Sequence, residues 1–268
     1  KMLEKTYIEM SGQFIQAKQF MPQTNTLMQN FIVDVAEFII NNKQTLPISL
    51  NLSTFQVNDS IVEVIAEIQR YVISELDLSY QVVCPQTILK ITQNLKSLIM
   101  IQSPMPPLNL LNKKSLKHVD FTNTPLTTEF ATGLCTQFNL ITLIVQNCHL
   151  SDFEFYTEST SQLQNVDFLL NQFSPQFLNK FLASLNLEVL KVSSTFNFQI
   201  LKSKNLKVLD FSGNSKEALS SIPGSCEKLI LKEIPLVVGD FEKILCLSKL
   251  QFLDIQGCGV RELEIQGV

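Results

Sequence analysis

Tryptophan is absent from this chain, and arginine occurs only twice, at Arg70 and Arg261. Phosphate backbones are held by clustered Lys and Arg, and bases are read best by the guanidinium fork. With no basic run and a net charge of -4, the composition argues against nucleic acid as a partner. Glycine is scarce, with 8 residues, and none builds a phosphate-cradling loop. The 2 histidines, His118 and His149, and the 6 cysteines show no zinc-ligand spacing and no CxxC pair. Close-set cysteines of a disulfide-capped secreted chain are missing, which predicts a reduced, cytoplasmic setting. No apolar run is long enough to cross a bilayer. The best candidate, Phe31 to Ile40, is interrupted by Asp34 and Glu37. Lys1-Met2-Leu3-Glu4-Lys5 lacks the apolar stretch of a signal peptide. These absences predict no membrane insertion, no cofactor and no metal.

What the chain does have is apolar material, 45% against 17% charged, and that material is periodic. A six-residue phrase recurs: apolar, two variable, apolar, one variable, apolar. Its clearest copies are Leu116-Lys117-His118-Val119-Asp120-Phe121, Leu206-Lys207-Val208-Leu209-Asp210-Phe211 and Leu250-Gln251-Phe252-Leu253-Asp254-Ile255. Others begin at Ile73, Leu95, Leu140, Leu163, Leu187 and Cys226, so successive starts lie 22, 21, 24, 23, 24, 19, 20 and 24 residues apart. A weaker copy precedes them at Pro47-Ile48-Ser49-Leu50-Asn51-Leu52, and a truncated one follows from Val260 to Ile265. Each phrase predicts a short strand with apolar positions inward, and repeats of this length predict parallel stacking around a shared core. Between the phrases, Ser174-Pro175 and Thr127-Thr128-Glu129-Phe130 read as helix starts, as does Asn58-Asp59-Ser60. The 19- and 20-residue repeats leave little room for a helix.

The phrase extends into LxxLxLxxNxL and resembles the leucine-rich-repeat family over roughly residues 47–268. The resemblance implies an α/β solenoid of about ten repeats, with a curved parallel sheet on the concave side and helices or irregular segments on the convex side. The ninth position of the family carries Asn, Cys, Thr or Ser, which satisfy backbone groups at the turn. Here it reads Ser103, Thr124, Cys148, Asn171, Thr195, Asn214 and Cys258, whereas Gln81 and Ile234 depart and predict breaks. Residues 1–46 fall outside the repeat and are read as an amino-terminal helical cap, with helices at about 3–20 and 25–42. The strand-like phrase at the carboxyl end predicts either continuation of the array or an edge available for self-association or an assembly contact.

The concave sheet is the docking surface that the resemblance implies, and its outward columns are positions three, five and seven. The candidate partner-binding residues are Asp77, Ile99, Ile101, His118, Asp120, Ile144, Asp167, Leu169, Lys191, Asp210, Phe252 and Asp254. In column five, aspartates alternate with other residues. At a strand spacing of about 4.8 Å, this separates like charges by about 10 Å, close to a Debye length. The alternation has two readings. One is ordinary spacing of surface aspartates. The other is a mixed acidic and apolar strip for a protein partner with basic and apolar groups. Catalytic chemistry finds no foothold: His118 and His149 lack an assembled triad, Cys148 and Cys258 are ladder residues, and Cys135 and Cys246 read as core. Gly224-Ser225-Cys226 precedes a strand and has no assigned base. The expectation is a non-enzymatic scaffold or adaptor of eukaryotic type. The alternatives are a structural component of a cytoskeletal or ciliary assembly, a GTPase-activating protein and a ubiquitin-ligase substrate receptor.

Overall fold

The computed structural model describes residues 6–11, 14–19, 48–53, 73–82, 95–106, 115–137, 140–156, 160, 162–183, 185–193, 205–214, 219 and 222–259. They fall into two compact units. Unit 1 comprises residues 1–126 with 137–140, and unit 2 comprises residues 127–136 with 141–268.

Unit 1 contains strands β1 (Thr6–Ser11), β2 (Phe14–Gln19), β3 (Ile48–Asn51), β4 (Ile73–Asp77), β5 (Ser97–Ile99) and β6 (His118–Asp120). From β2 to β6 neighbouring strands run parallel in chain order. The strand β1 instead pairs antiparallel with β2, placing Tyr7 opposite Lys18. The helix expected over residues 3–20 is therefore replaced by a strand pair. Apolar and polar residues alternate from Ile8 to Ser11, and the two strand runs are separated only by Gly12 and Gln13, a hairpin spacing that the helical reading overlooked. The helix expected over 25–42 lies outside the described residues, as do the helix start at Asn58 and the ladder position Thr195.

Unit 2 contains β7 (Thr142–Ile144), β8 (Asn165–Asp167), β9 (Val189–Lys191), β10 (Val208–Asp210), β11 (Lys228–Ile230) and β12 (Phe252–Asp254), all parallel in chain order. It also holds helices α1 (Thr128–Gln137), α2 (Pro175–Ala183) and α3 (Val238–Leu245). In both units, pairing from β4 onward aligns the same phrase positions: Leu76 faces Leu98, Leu98 faces Val119, and Leu209 faces Leu229. Positions four and six point inward and are buried, as Leu98 and Met100 show, while position five of the same strands is half-buried.

The helices start where the sequence places hydrogen-bond acceptors. Thr127 Oγ1 accepts from the Phe130 N–H at 3.2 Å, and Ser174 Oγ accepts from the Phe177 N–H at 3.1 Å. The third helix was not expected. It begins after Val237, whose N–H donates to Asp240 Oδ2 at 3.0 Å, half of a capping box. From α2, Phe177 and Phe181 pack one turn apart against Phe153, Phe155, Phe168 and Phe173, with Phe153 and Phe177 centroids 4.8 Å apart. This aromatic core combines edge-to-face and stacked contacts.

Side chains at position nine close the turns by donating to the position-six carbonyl of the preceding repeat. Ser103 Oγ donates to Leu78 O at 3.1 Å, Thr124 Oγ1 to Met100 O at 2.5 Å, and Asn171 Nδ2 to Val145 O at 2.7 Å. Asn214 Nδ2 reaches Val192 O at 2.7 Å, and Cys258 Sγ reaches Leu231 O at 2.7 Å. The expected break at Gln81 does not occur. Its Nε2 donates to Leu52 O at 3.1 Å, so the longer amide performs the same task. At buried Ile234 no such donor exists, and the Phe211 carbonyl is taken instead by Asn214 Nδ2 at 3.0 Å. Asn171 does most, because its Oδ1 also accepts from the N–H groups of Cys148 and Leu150, both at 3.1 Å.

A second constraint sits at position eight, which takes a left-handed backbone in every repeat where it is described. Tyr80, Gln102, Asn123, Asn147, Leu170, Gly213, Glu233 and Gly257 all have φ between 50° and 76°. Glycine and asparagine accept this conformation readily, whereas leucine and tyrosine do so at a cost of about 1–2 kcal/mol.

Two stability outcomes follow. Replacing Asn171 by Ala leaves several buried backbone groups without partners, and should lower the unfolding free energy by about 2–4 kcal/mol in urea titrations. Leu170→Gly should raise it by about 0.5–1 kcal/mol, the relief of strain exceeding the added chain entropy.

Candidate interaction surface

The strand face of each unit is built from positions three, five and seven. In unit 1, registration places Glu75, Ser97 and His118 side by side on β4, β5 and β6, and Asp77, Ile99 and Asp120 in the next row. Ile101 follows at position seven, and all these residues are half-exposed, whereas Ser79, at position seven beside it, is buried. In unit 2, Ile144, Asp167, Lys191, Asp210, Ile230 and Asp254 occupy the corresponding position-five row, with each described pair of neighbours in register. Leu169 is half-exposed at position seven, and Phe252 at position three is 48% exposed, with Lys228 Nζ 4.8 Å above its ring. Each candidate residue read from the sequence thus lies on the outward side of a strand or its exit. They are not equally accessible: Asp167 is only 3% exposed.

The aspartates are also structural. Asp77 Oδ1 accepts from the Ser79 N–H at 2.9 Å and the Ser79 hydroxyl at 2.6 Å. Asp120 does the same for Thr122 at 2.9 and 2.7 Å, and Asp210 for Ser212 at 3.1 and 2.7 Å. Asn51 holds Ser53 in the same way, which shows that the turn needs the acceptor oxygen and not the charge. The hydroxyl then passes the contact on: Ser79 Oγ accepts from the Ile101 N–H, and Ser212 Oγ from the Lys232 N–H, both at 3.2 Å. The repeated Asp-x-Ser/Thr was visible in the sequence as a turn signature, but column spacing alone did not reveal it.

Charge differs between the two faces. In unit 2, Lys191 Nζ lies 2.9 Å from Asp167 Oδ2, and Lys232 Nζ lies 3.2 Å from Asp254 Oδ2. In unit 1, Glu75, Asp77 and Asp120 form no ion pair among the described residues. Burial holds the Asp167 carboxyl above its ordinary range despite the opposing pull of Lys191. Asp254 is held below its range, chiefly by the Gln256 N–H and then by Lys232.

Two exposed apolar residues escaped the column reading. Tyr80 and Leu170, each 61% exposed, occupy the left-handed position eight beside the strand exits. Their signal was present as bulky residues where other repeats carry Asn or Gly. At the last described repeat, Leu250, Leu253 and Ile255 are half-exposed, whereas their counterparts in the preceding repeat, Cys226, Leu229 and Leu231, are buried.

The other singled-out residues fall elsewhere. His118 and Asp120 share the outward side of β6, two residues apart, and His149 sits exposed in the turn after β7 with φ 58°. Burial pushes the Cys135 thiol up to about 12 and Cys226 up to about 11, so both are poor nucleophiles at neutral pH. Cys246, expected in the core, is exposed just beyond α3, because the helix ends at Leu245 and its inward side is carried by Phe241 and Ile244. Among the described residues, no helix is long and apolar enough to cross a membrane.

The opposite shifts of two aspartates give opposite pH responses. With its folded pKa raised, Asp167 adds stability as pH falls toward the ordinary carboxylate range and loses that contribution as pH rises through its folded value. Asp254, held low, contributes above its unfolded value and loses that contribution as pH falls. In a carbon-detected titration of side-chain carboxyls, Asp167 should therefore show its midpoint at higher pH than Asp254.

No protein-family model matches the chain, and no curated protein matches it.

Proposed function

We propose that this chain is a non-enzymatic leucine-rich-repeat protein whose outward strand face holds a protein partner, as a scaffold or adaptor does. The repeat reading is supported by parallel strands that pair at equivalent phrase positions and by position-nine side chains bonding to the preceding repeat. The binding reading rests on one observation above all. On both units, half-exposed aliphatic side chains occupy sheet positions where a lone domain has no packing use for them: Ile99 and Ile101 in unit 1, Ile144, Ile230 and Leu169 in unit 2. Interspersed apolar and charged groups on a rigid sheet suit a macromolecular contact better than enclosure of a small molecule. A cytoplasmic location, as a proposal, fits the thiol chemistry, since among the described residues Cys135, Cys226, Cys246 and Cys258 are free thiols.

The test is affinity capture from native extract with two kinds of surface variant, each checked for an unchanged urea midpoint. Ile99→Lys/Ile101→Lys and Ile144→Lys should each be compared with Tyr156→Ser and Val238→Ser, which alter exposed residues away from the strands. A partner that drops at least about tenfold with a strand-face variant, and persists with the others, supports the reading. A partner lost only with Tyr156→Ser or Val238→Ser would place binding elsewhere.

A further inference from the structure

We propose that the carboxyl-end row of the unit 1 strand face recognises a short segment of a protein partner bearing two basic side chains about 10 Å apart, with an apolar side chain between them. This rests on the strand-face reading above and specifies its occupant. The surface is first of all apolar. Ile99 lies at the centre of the position-five row, Ile101 follows at position seven, and exposed Tyr80 stands at the exit of β4. The Tyr80 N–H is bonded to the Ile101 carbonyl at 2.8 Å, so the tyrosine and the isoleucine strand exit are held together. Tyr80 keeps a left-handed backbone, φ 65°, at a position where Asn123 serves in the same unit. A bulky aromatic in that conformation contributes nothing to the turn that Asn would not, and tyrosine is a frequent anchor of protein contacts.

Charge then selects the occupant. Asp77 and Asp120 flank Ile99 on the two adjacent strands, two strand spacings or about 10 Å apart. The turns use only Oδ1 of each, leaving Oδ2 without a protein partner among the described residues. Glu75 adds a third carboxylate on β4, and no lysine occupies positions three, five or seven of β4–β6. The nearest lysines in the phrase, Lys96 and Lys117, precede the strands at position two, at the opposite end from Asp77 and Asp120. Unit 2 is different, since Lys191 and Lys232 already neutralise Asp167 and Asp254 there. An acidic or neutral segment would leave Asp77 and Asp120 facing like charge or nothing, whereas a doubly basic one matches both. An extended Lys-x-x-Lys segment spans that distance, since three residues at about 3.1–3.3 Å each cover about 9–10 Å.

The experiment follows isoleucine methyl resonances of the full chain during titration with a synthetic peptide containing Lys-Pro-Leu-Lys. Controls are the same peptide with Glu in place of Lys, and a neutral one with Gln. The protein variant is Asp77→Asn/Asp120→Asn, which removes both charges and retains the acceptor oxygens, as Asn51 does naturally. The expected result is movement of the Ile99 and Ile101 methyls but not of Ile144 or Ile230. Binding should weaken about tenfold in the Asn variant and vanish with the Glu peptide. No movement with the Lys peptide, or equal binding by the Asn variant, overturns the proposal. If the Gln peptide moves Ile99 and Ile101 as strongly, the basic occupant is wrong while the strand-face reading stands. That reading itself falls only if partner capture is also indifferent to the Ile99, Ile101 and Ile144 changes.

Discussion

A chain that leaves one strand to begin the next parallel one must turn inside its own packed layer, where backbone groups have no water to bond with. The rest of this structure depends on how those groups are satisfied. An unpaired buried carbonyl costs about 1–3 kcal/mol, and the problem recurs with every repeat. The solution is a donor at position nine that reaches back to the preceding repeat: a hydroxyl, an amide or a thiol, and at Gln81 a longer amide. Because donor and acceptor belong to different repeats, these turns are completed only when repeats stack. Apolar burial at positions four and six then adds to an arrangement already specified in register.

The aspartate rows show how one residue serves both the scaffold and the surface. A carboxylate has two oxygens, and the turn takes one. What becomes of the second depends on its neighbours. In unit 2 a lysine on the adjacent strand or its exit covers it at Asp167 and Asp254. In unit 1 nothing comparable stands beside Asp77 or Asp120 among the described residues. Similar columns in the sequence therefore give two electrostatically different faces. The Coulomb energy is decided by which side chain stands about 5 Å away on the next strand, not by the repeat pattern.

Strain is distributed just as unevenly. Position eight must turn left-handed to leave the strand, and Gly213, Gly257 and Asn147 do so at little cost. Tyr80 and Leu170 do so while exposing large apolar surface. Strain that the turn does not require, joined to exposure that folding does not favour, distinguishes these two residues from the merely tolerated ones.

Much of this was legible along the chain. The period of the phrase foretold the parallel strands and their register, because an inward-pointing residue at every second position has one way to meet its neighbour. Ser174 and Thr127 announced two helices by their chemistry. Elsewhere local pattern misled. Residues 3–20 read as a helix, yet their described part pairs as strands, since an available sheet partner outweighs weak intrinsic propensity. Cys246 was apolar by context but fell past the end of α3 into solvent. Asp167 sat in an outward column but is covered, and no spacing rule could say so, because burial depends on what the adjacent strands place over it. The order of inward and outward residues is local and periodic, so the sequence alone determines it. Accessibility and charge pairing depend on side chains some twenty residues away, so they were decided only when the strands came together.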